Sequence, residues 1–171
     1  LVVAGTTGHL SEVTQHSLGV HFARNLAHFT GQNLWFFALT MIPLAQVFAL
    51  EFTSPIWVLV LSPLFLGERL TGTRAVAAGM GFVGILIVAR PFGAELSIGV
   101  ITAALAAIGF ALTIMLTKRL TRTQTITCIL FYLTLMQSCF GLICAGIDGN
   151  ITLPSSGTAP WLLLIGCAGL L

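Results

Sequence analysis

Glu51 is a carboxylate set near the middle of an apolar run, residues 43–66, that is long enough to cross a bilayer. A charge at that depth costs about 2.5–3.5 kcal/mol on insertion scales, so it must face protein or a wet cavity rather than lipid. Pro55 follows four residues later and has no N–H to give the Glu51 carbonyl, and Pro63 frees the Leu59 carbonyl in the same way. At about 100° per residue, Glu51, Ser54, Pro55, Val58 and Ser62 fall on one face, gathering a carboxylate, two hydroxyls and an unpaired backbone acceptor. Irregular backbone at membrane depth is tolerated only inside protein or along a cavity. Phe52, Ile56 and Trp57 occupy the opposite side, where they suit lipid or a neighbouring helix. Two chemistries fit Glu51. It exchanges a proton that couples solute movement to a gradient, or it makes a structural hydrogen bond between helices.

Other polar side chains at membrane depth are Gln32, Asn33 and Thr40 in the run 25–42, and Gln137 in the run 126–145. Such amides face other helices or a wet cavity, so Gln32, Asn33 and Gln137 join Ser54 and Ser62 as cavity candidates. His21, Arg24 and His28 share a helical face, but their spacing lacks the convergence of a metal site and reads as an interfacial anchor for a helix start. Cys128, Cys139, Cys144 and Cys167 form no CxxC pair and have no His near them, which makes them small buried hydrophobes. No apolar run pairs a His with a Ser, Cys or Asp, so no catalytic residue, cofactor or metal is expected, and the chain does not read as an enzyme. Glu68, in a charged turn, suits capping or an ion pair with Arg69 or Arg74.

The elements that position these residues follow from composition. Residues AVILMFWYC make up 57% and charged residues 7% of the 171, against about 25% charged in soluble domains, so the fold class is all-α, a polytopic membrane helix bundle. A net charge of +2 is too small and dispersed for nucleic-acid binding. Spans are expected at about 25–42, 43–66, 74–89, 98–116 and 126–145, with a sixth starting at Trp161; residues 1–24 form a loop or interfacial segment. Gly67 and Gly72 suit left-handed turn positions, and Ser97 suits a helix cap. Ala75/Gly79, Ala77/Gly81 and Gly84, and later Ala103, Ala107 and Ala111, are small-residue stripes that let helices pack closely. The chain opens on Leu1 and ends inside an apolar run, and is expected to be part of a longer protein. Alternating the loops across the membrane puts six of the seven Lys/Arg on one side, with Arg90 alone opposite. Loops 67–74 and 117–125 are then cytoplasmic, and loops 90–97 and 147–160 lie outside.

With these residues in view, the stretch 24–91 resembles the EamA-type transporters of the drug/metabolite transporter superfamily. The resemblance rests on WFFALTMIPLA, the Ser54-Pro55 step, the Leu66-Gly67-Glu68-Arg69 turn and the glycine-rich helix ending in Arg90-Pro91, with 98–119 similar to the family's next helix. It implies ten helices in two five-helix inverted repeats around a central cavity, in a plasma (bacterial inner) membrane. Residues 25–91 would then hold the last three helices of the first repeat and 97–171 the truncated start of the second. The implied function is secondary transport, read as export, of small organic metabolites or drugs by alternating access; proton coupling through Glu51 is an expectation from its depth and neighbours, and the family motif does not assign it. The implied partners are a small-molecule solute, the lipid bilayer and a second copy in a homodimer. Transporters of this kind bind near the midplane at broken helices, which directs attention to Glu51–Pro55. The alternative is a non-transporting membrane sensor or assembly subunit.

Overall fold

A computed structural model of the chain describes residues 13–67, 71–89, 97–147, 155, 157–158, 160–161 and 164. Every element among them is α-helical: α1 (Leu18–Met41), α2 (Leu44–Glu51), α3 (Ser54–Leu66), α4 (Gly72–Ala89), α5 (Ile98–Leu120) and α6 (Ile126–Ile147). Among the described residues, three stretches are long and apolar enough to cross a membrane, namely Leu44–Leu66, Ile98–Leu120 and Ile126–Ile147. At 1.5 Å per residue their 22–23 residues reach roughly 33–35 Å, matching a hydrocarbon core of about 30 Å. The polar residues of α1 keep it out of that group, although it is a continuous helix of 24 residues.

Local chemistry sets the boundaries. Ile42 precedes a proline and is driven to extended backbone, φ −135° and ψ 157°, which ends α1 and turns the chain into α2. Gly67 ends α3 with φ +64°, the left-handed conformation expected of it. Gly72 differs from expectation: it opens α4, and the left-handed set among described residues is Gly67 and Ser17. Ser97 caps α5 by accepting from the Val100 N–H at 3.3 Å, and Lys118 and Arg119 in the last turn offset its dipole.

Cα proximity divides the chain at Gln137/Ser138, within α6. In the first unit, α1 and α5 pack most extensively, and the seam is made of small residues. A Cβ on Gly109 would lie 3.0 Å from Gly31 Cα and 3.1 Å from the Ala27 carbonyl, so the two backbones nearly touch. Ala103, Ala107 and Ala111 of α5 are buried, as their spacing predicts. Ala38, Val47 and Ala103 close a second patch against Trp35, Leu39, Ile42 and Leu50. The stripe on α4 behaves differently, because nothing lies within 4 Å of a Cβ on Gly79, Gly81 or Gly84 among the described residues. In the second unit, the end of α6 presents Leu142, Ile143 and Ile147 as exposed apolar side chains.

Candidate functional site

The run 43–66 is broken, as its prolines require, but the polar face is spent differently than predicted. The break falls at Phe52–Thr53, between α2 and α3, and both residues keep near-helical torsions (φ −64°, ψ −5° and φ −74°, ψ −12°). The Glu51 carbonyl that Pro55 leaves open accepts from Ser54 Oγ at 2.5 Å. The Leu59 carbonyl opposite Pro63 accepts from Ser62 Oγ at 3.2 Å. In both Ser-Pro steps the serine replaces the N–H that its proline lacks, so the expected unpaired acceptor is absent. Ser54 and Ser62 are both buried. The Glu51 carboxylate reaches α1, where Trp35 Nε1 donates to Oε2 at 2.8 Å.

The amide candidates converge elsewhere. His28, Phe29, Gln32, Asn33 and Phe36 of α1 face Leu133, Thr134 and Gln137 of α6 across a cavity of about 460 Å³. Their spacing on α1 (i, i+1, i+4, i+5, i+8) is one helical stripe, and 133, 134 and 137 form the facing stripe on α6. Asn33 donates to the Phe29 carbonyl at 2.8 Å, and Gln137 donates to the Asn25 carbonyl at 3.1 Å. Those bonds hold the two amides by their NH₂ groups and leave their carbonyl oxygens for a ligand. Gln32 makes no side-chain hydrogen bond among the described residues, and buried His28 Nδ1 has no partner there. Phe29 and Phe36 supply apolar walls. The lining can therefore hold a flat, polar-edged solute by donor and acceptor contacts without an obligatory charge.

Thus Gln32, Asn33 and Gln137 meet in one cavity, whereas Pro55 and Ser62 line a second one of about 400 Å³ with Arg74 and Lys118. Glu51 and Ser54 line neither. A buried network that sequence reading assigned to an interface secures the first cavity. Arg24 donates through Nε to Thr117 Oγ1 (3.1 Å) and through Nη1 to Asn25 Oδ1 (2.8 Å), and Asn25 Nδ2 donates to the Tyr132 carbonyl (3.3 Å). One asparagine thereby ties α1 to α6 while its neighbour Arg24 ties α1 to α5. His21 is fully buried with its ring 4.5 Å from Tyr132, and neither ring nitrogen is bonded among the described residues. It lies ahead of the 25–42 span, and burial, then the Arg24 charge, lowers its pKa from the usual histidine value. Described residues contain no cluster of three or more His, Cys, Asp or Glu able to hold a metal.

A family model described as the EamA-like transporter family matches residues 6–90, a stretch that includes α1 to α4. The chain belongs to that family. Among similar relatives, an S-adenosylmethionine uptake transporter of Rickettsia conorii is 28% identical over 150 residues, covering 88% of this chain and 50% of the relative. A riboflavin transporter of Brucella anthropi is 37% identical over 109 residues, covering 64% of this chain and 38% of the relative. A riboflavin transporter of Vibrio cholerae is 30% identical over 162 residues, 94% of this chain and 53% of the relative. The chain thus spans about half the length, or less, of these curated relatives. No solved structure matches it. An EamA-like chain is an integral membrane protein and not an enzyme, in keeping with its composition.

Proposed function

We propose that the full-length protein carrying this chain is a secondary transporter for small organic metabolites, and that the α1–α6 cavity forms part of its solute path. The observation behind this reading is the convergence of Gln32, Asn33 and Gln137, with His28, between phenylalanine walls. Riboflavin and S-adenosylmethionine, after which the relatives are named, both contain a flat nitrogen heterocycle. A ring stacked against Phe29 or Phe36 and read at its edge by amides is the solute class this lining fits. The ten-helix, two-repeat frame, the split at 91/97, the cytoplasmic placement of loops 67–74 and 117–125, and a homodimer belong to the same proposal.

Proton coupling through Glu51 is the finer part of it. Glu51→Gln keeps an acceptor for Trp35 and removes the carboxylate, so it separates coupling from helix tethering. The experiment is counterflow of radiolabelled heterocyclic metabolites in proteoliposomes of the full-length protein. Gln32→Leu and Gln137→Leu are expected to weaken half-saturation about tenfold or more, because each removes a hydrogen-bonding group from the cavity lining. Flux that stays undiminished in both variants refutes the cavity, and an unchanged pH profile in Glu51→Gln refutes the coupling. Export is the direction expected from sequence, whereas the Rickettsia relative's name says uptake; net flux in inside-out against right-side-out vesicles decides between them.

A further inference from the structure

We infer that residues 13–17 are a strap that gates one end of the α1–α6 cavity, an assignment that rests on the transport reading above. The strap meets α1 at Ser17, whose left-handed backbone (φ +65°, ψ 29°) is uncommon outside glycine and turns the chain over α6. Four contacts hold it there. Thr14 Oγ1 donates to Gln124 Oε1 at 2.8 Å, and Gln124 Nε2 donates to the His16 carbonyl at 3.1 Å. The Thr14 carbonyl accepts from the Tyr132 hydroxyl at 3.2 Å and lies 3.7 Å from Cys128 Sγ. These partners are 108 to 118 positions away, so the segment is placed by tertiary contacts and not by local structure.

Its position relative to the cavity makes it a gate. Contacts between the two helices climb in step: the strap meets Gln124 and Cys128, His21 meets Tyr132, and Asn25 meets Tyr132 and Gln137. The cavity begins one turn further along α1, at His28. The strap therefore lies across the end at which both helices start. Beneath it, Cys128 and His21 have no exposed surface, and Tyr132 is buried. Every strap contact joins neutral groups, and both bonds through Gln124 are exposed, so each shifts an open–closed equilibrium only about fivefold. Lids are drawn from weakly held segments of this kind. Arg24 and Asn25 behind the strap are buried, and they fix α1 to α5 and α6.

Cys128 is a built-in reporter, because its thiol is free and buried against the Thr14 carbonyl. The test uses the full-length protein in proteoliposomes, with every other cysteine replaced by serine. At fixed pH, Tyr132→Phe and Gln124→Leu are each expected to speed N-ethylmaleimide labelling of Cys128 about fivefold. The control Thr123→Ala, whose hydroxyl bonds the Leu120 carbonyl and not the strap, is expected to leave the rate unchanged. In a second arm Cys128 is also replaced by serine, and a reducible bis-methanethiosulfonate joins Thr14→Cys to Gln124→Cys. Cross-linking is expected to abolish counterflow of heterocyclic metabolites, and dithiothreitol to restore it. Equal labelling in all three variants, or counterflow that survives cross-linking, overturns the gate and leaves the transport reading standing. Absence of counterflow before cross-linking, in a protein with wild-type circular dichroism, overturns the transport reading and the gate with it.

Discussion

The two Ser-Pro steps make a quantitative claim about who satisfies the backbone. Each proline deletes one donor, and each preceding serine replaces it, at 2.5 Å for Ser54 and 3.2 Å for Ser62. Leaving a buried carbonyl unsatisfied costs about 1–3 kcal/mol in soluble proteins. Side-chain hydrogen bonds in membrane helices average only about 0.6 kcal/mol, with a maximum near 1.7. Ser54 is buried and its bond is short, so Ser54→Ala should cost about 1–1.5 kcal/mol, while Ser62→Ala, with the longer bond, should cost about 0.5.

The deciding measurement is a double-mutant cycle with Pro55→Ala. Phe52 and Thr53 already have near-helical torsions, and the Thr53 N–H already reaches the Leu50 carbonyl at 3.0 Å. Restoring an N–H at position 55 therefore lets α2 and α3 fuse, with that N–H bonding the Glu51 carbonyl. Ser54 then has nothing to replace, and Ser54→Ala in the Pro55→Ala background should cost close to zero. The expected coupling is about 1 kcal/mol, well above the roughly 0.3–0.5 kcal/mol scatter of independent sites. The assay is reversible SDS unfolding of the full-length protein in mixed micelles, followed by far-UV circular dichroism. An equal cost for Ser54→Ala in both backgrounds would refute the idea that the serine stands in for the missing donor.

Three other outcomes follow from named contacts. Gly109→Ala should destabilise by about 1–3 kcal/mol in the same assay, because the new methyl meets Gly31 and Ala27 backbone at 3.0–3.1 Å, whereas Gly79→Ala, with open space, should not destabilise. Trp35→Phe removes the donor to Glu51 and should cost about 1 kcal/mol, with Glu51→Ala matching it and Glu51→Gln costing less, as read by Trp fluorescence during unfolding of the Glu51 variants. His21 has a lowered pKa when folded, so below its ordinary value of 6.5 the unfolded chain binds the extra proton and stability falls as pH drops. Thermal midpoints at about pH 7.5 and 5.5 should therefore separate more in wild type than in His21→Phe, and equal separation would count against a buried neutral imidazole.

Helix positions were readable because each boundary carries its own chemistry: Pro43 after extended Ile42, Gly67 in the left-handed region, Ser97 as a cap. The α1–α5 seam was half readable. Ala103, Ala107 and Ala111 announce a packing face, but nothing local to Gly31 or Gly109 says that these two meet. Arg24 and His21 were expected at an interface because charge beside an apolar run usually marks one, and their burial within the protein was not foreseen. Their burial depends on Thr117 and Tyr132, about 90 to 110 positions away, and no local pattern encodes that.

Two roles that the sequence superimposes on one face belong to different parts of the structure. A serine next to a proline at membrane depth looks like a ligand donor, yet a hydroxyl has one proton, and in both steps that proton is committed to the carbonyl the proline orphaned. Ser54 and Ser62 can then act toward a ligand only as acceptors, which makes the kink a backbone feature before it is a site. The amides of Asn33 and Gln137 present the reverse case, because each commits one N–H, to the Phe29 and Asn25 carbonyls, and keeps a second N–H and its carbonyl oxygen on the lining of the α1–α6 cavity beside Gln32. A helix break can be repaired locally by one neighbouring residue, but a polar cavity needs two helices to arrive in register. Asn25 supplies that register from a single side chain and backbone: its Nδ2 holds the Tyr132 carbonyl, and its own carbonyl holds Gln137. The proposed solute site therefore rests more on the α1–α6 pairing than on the proline-broken helix.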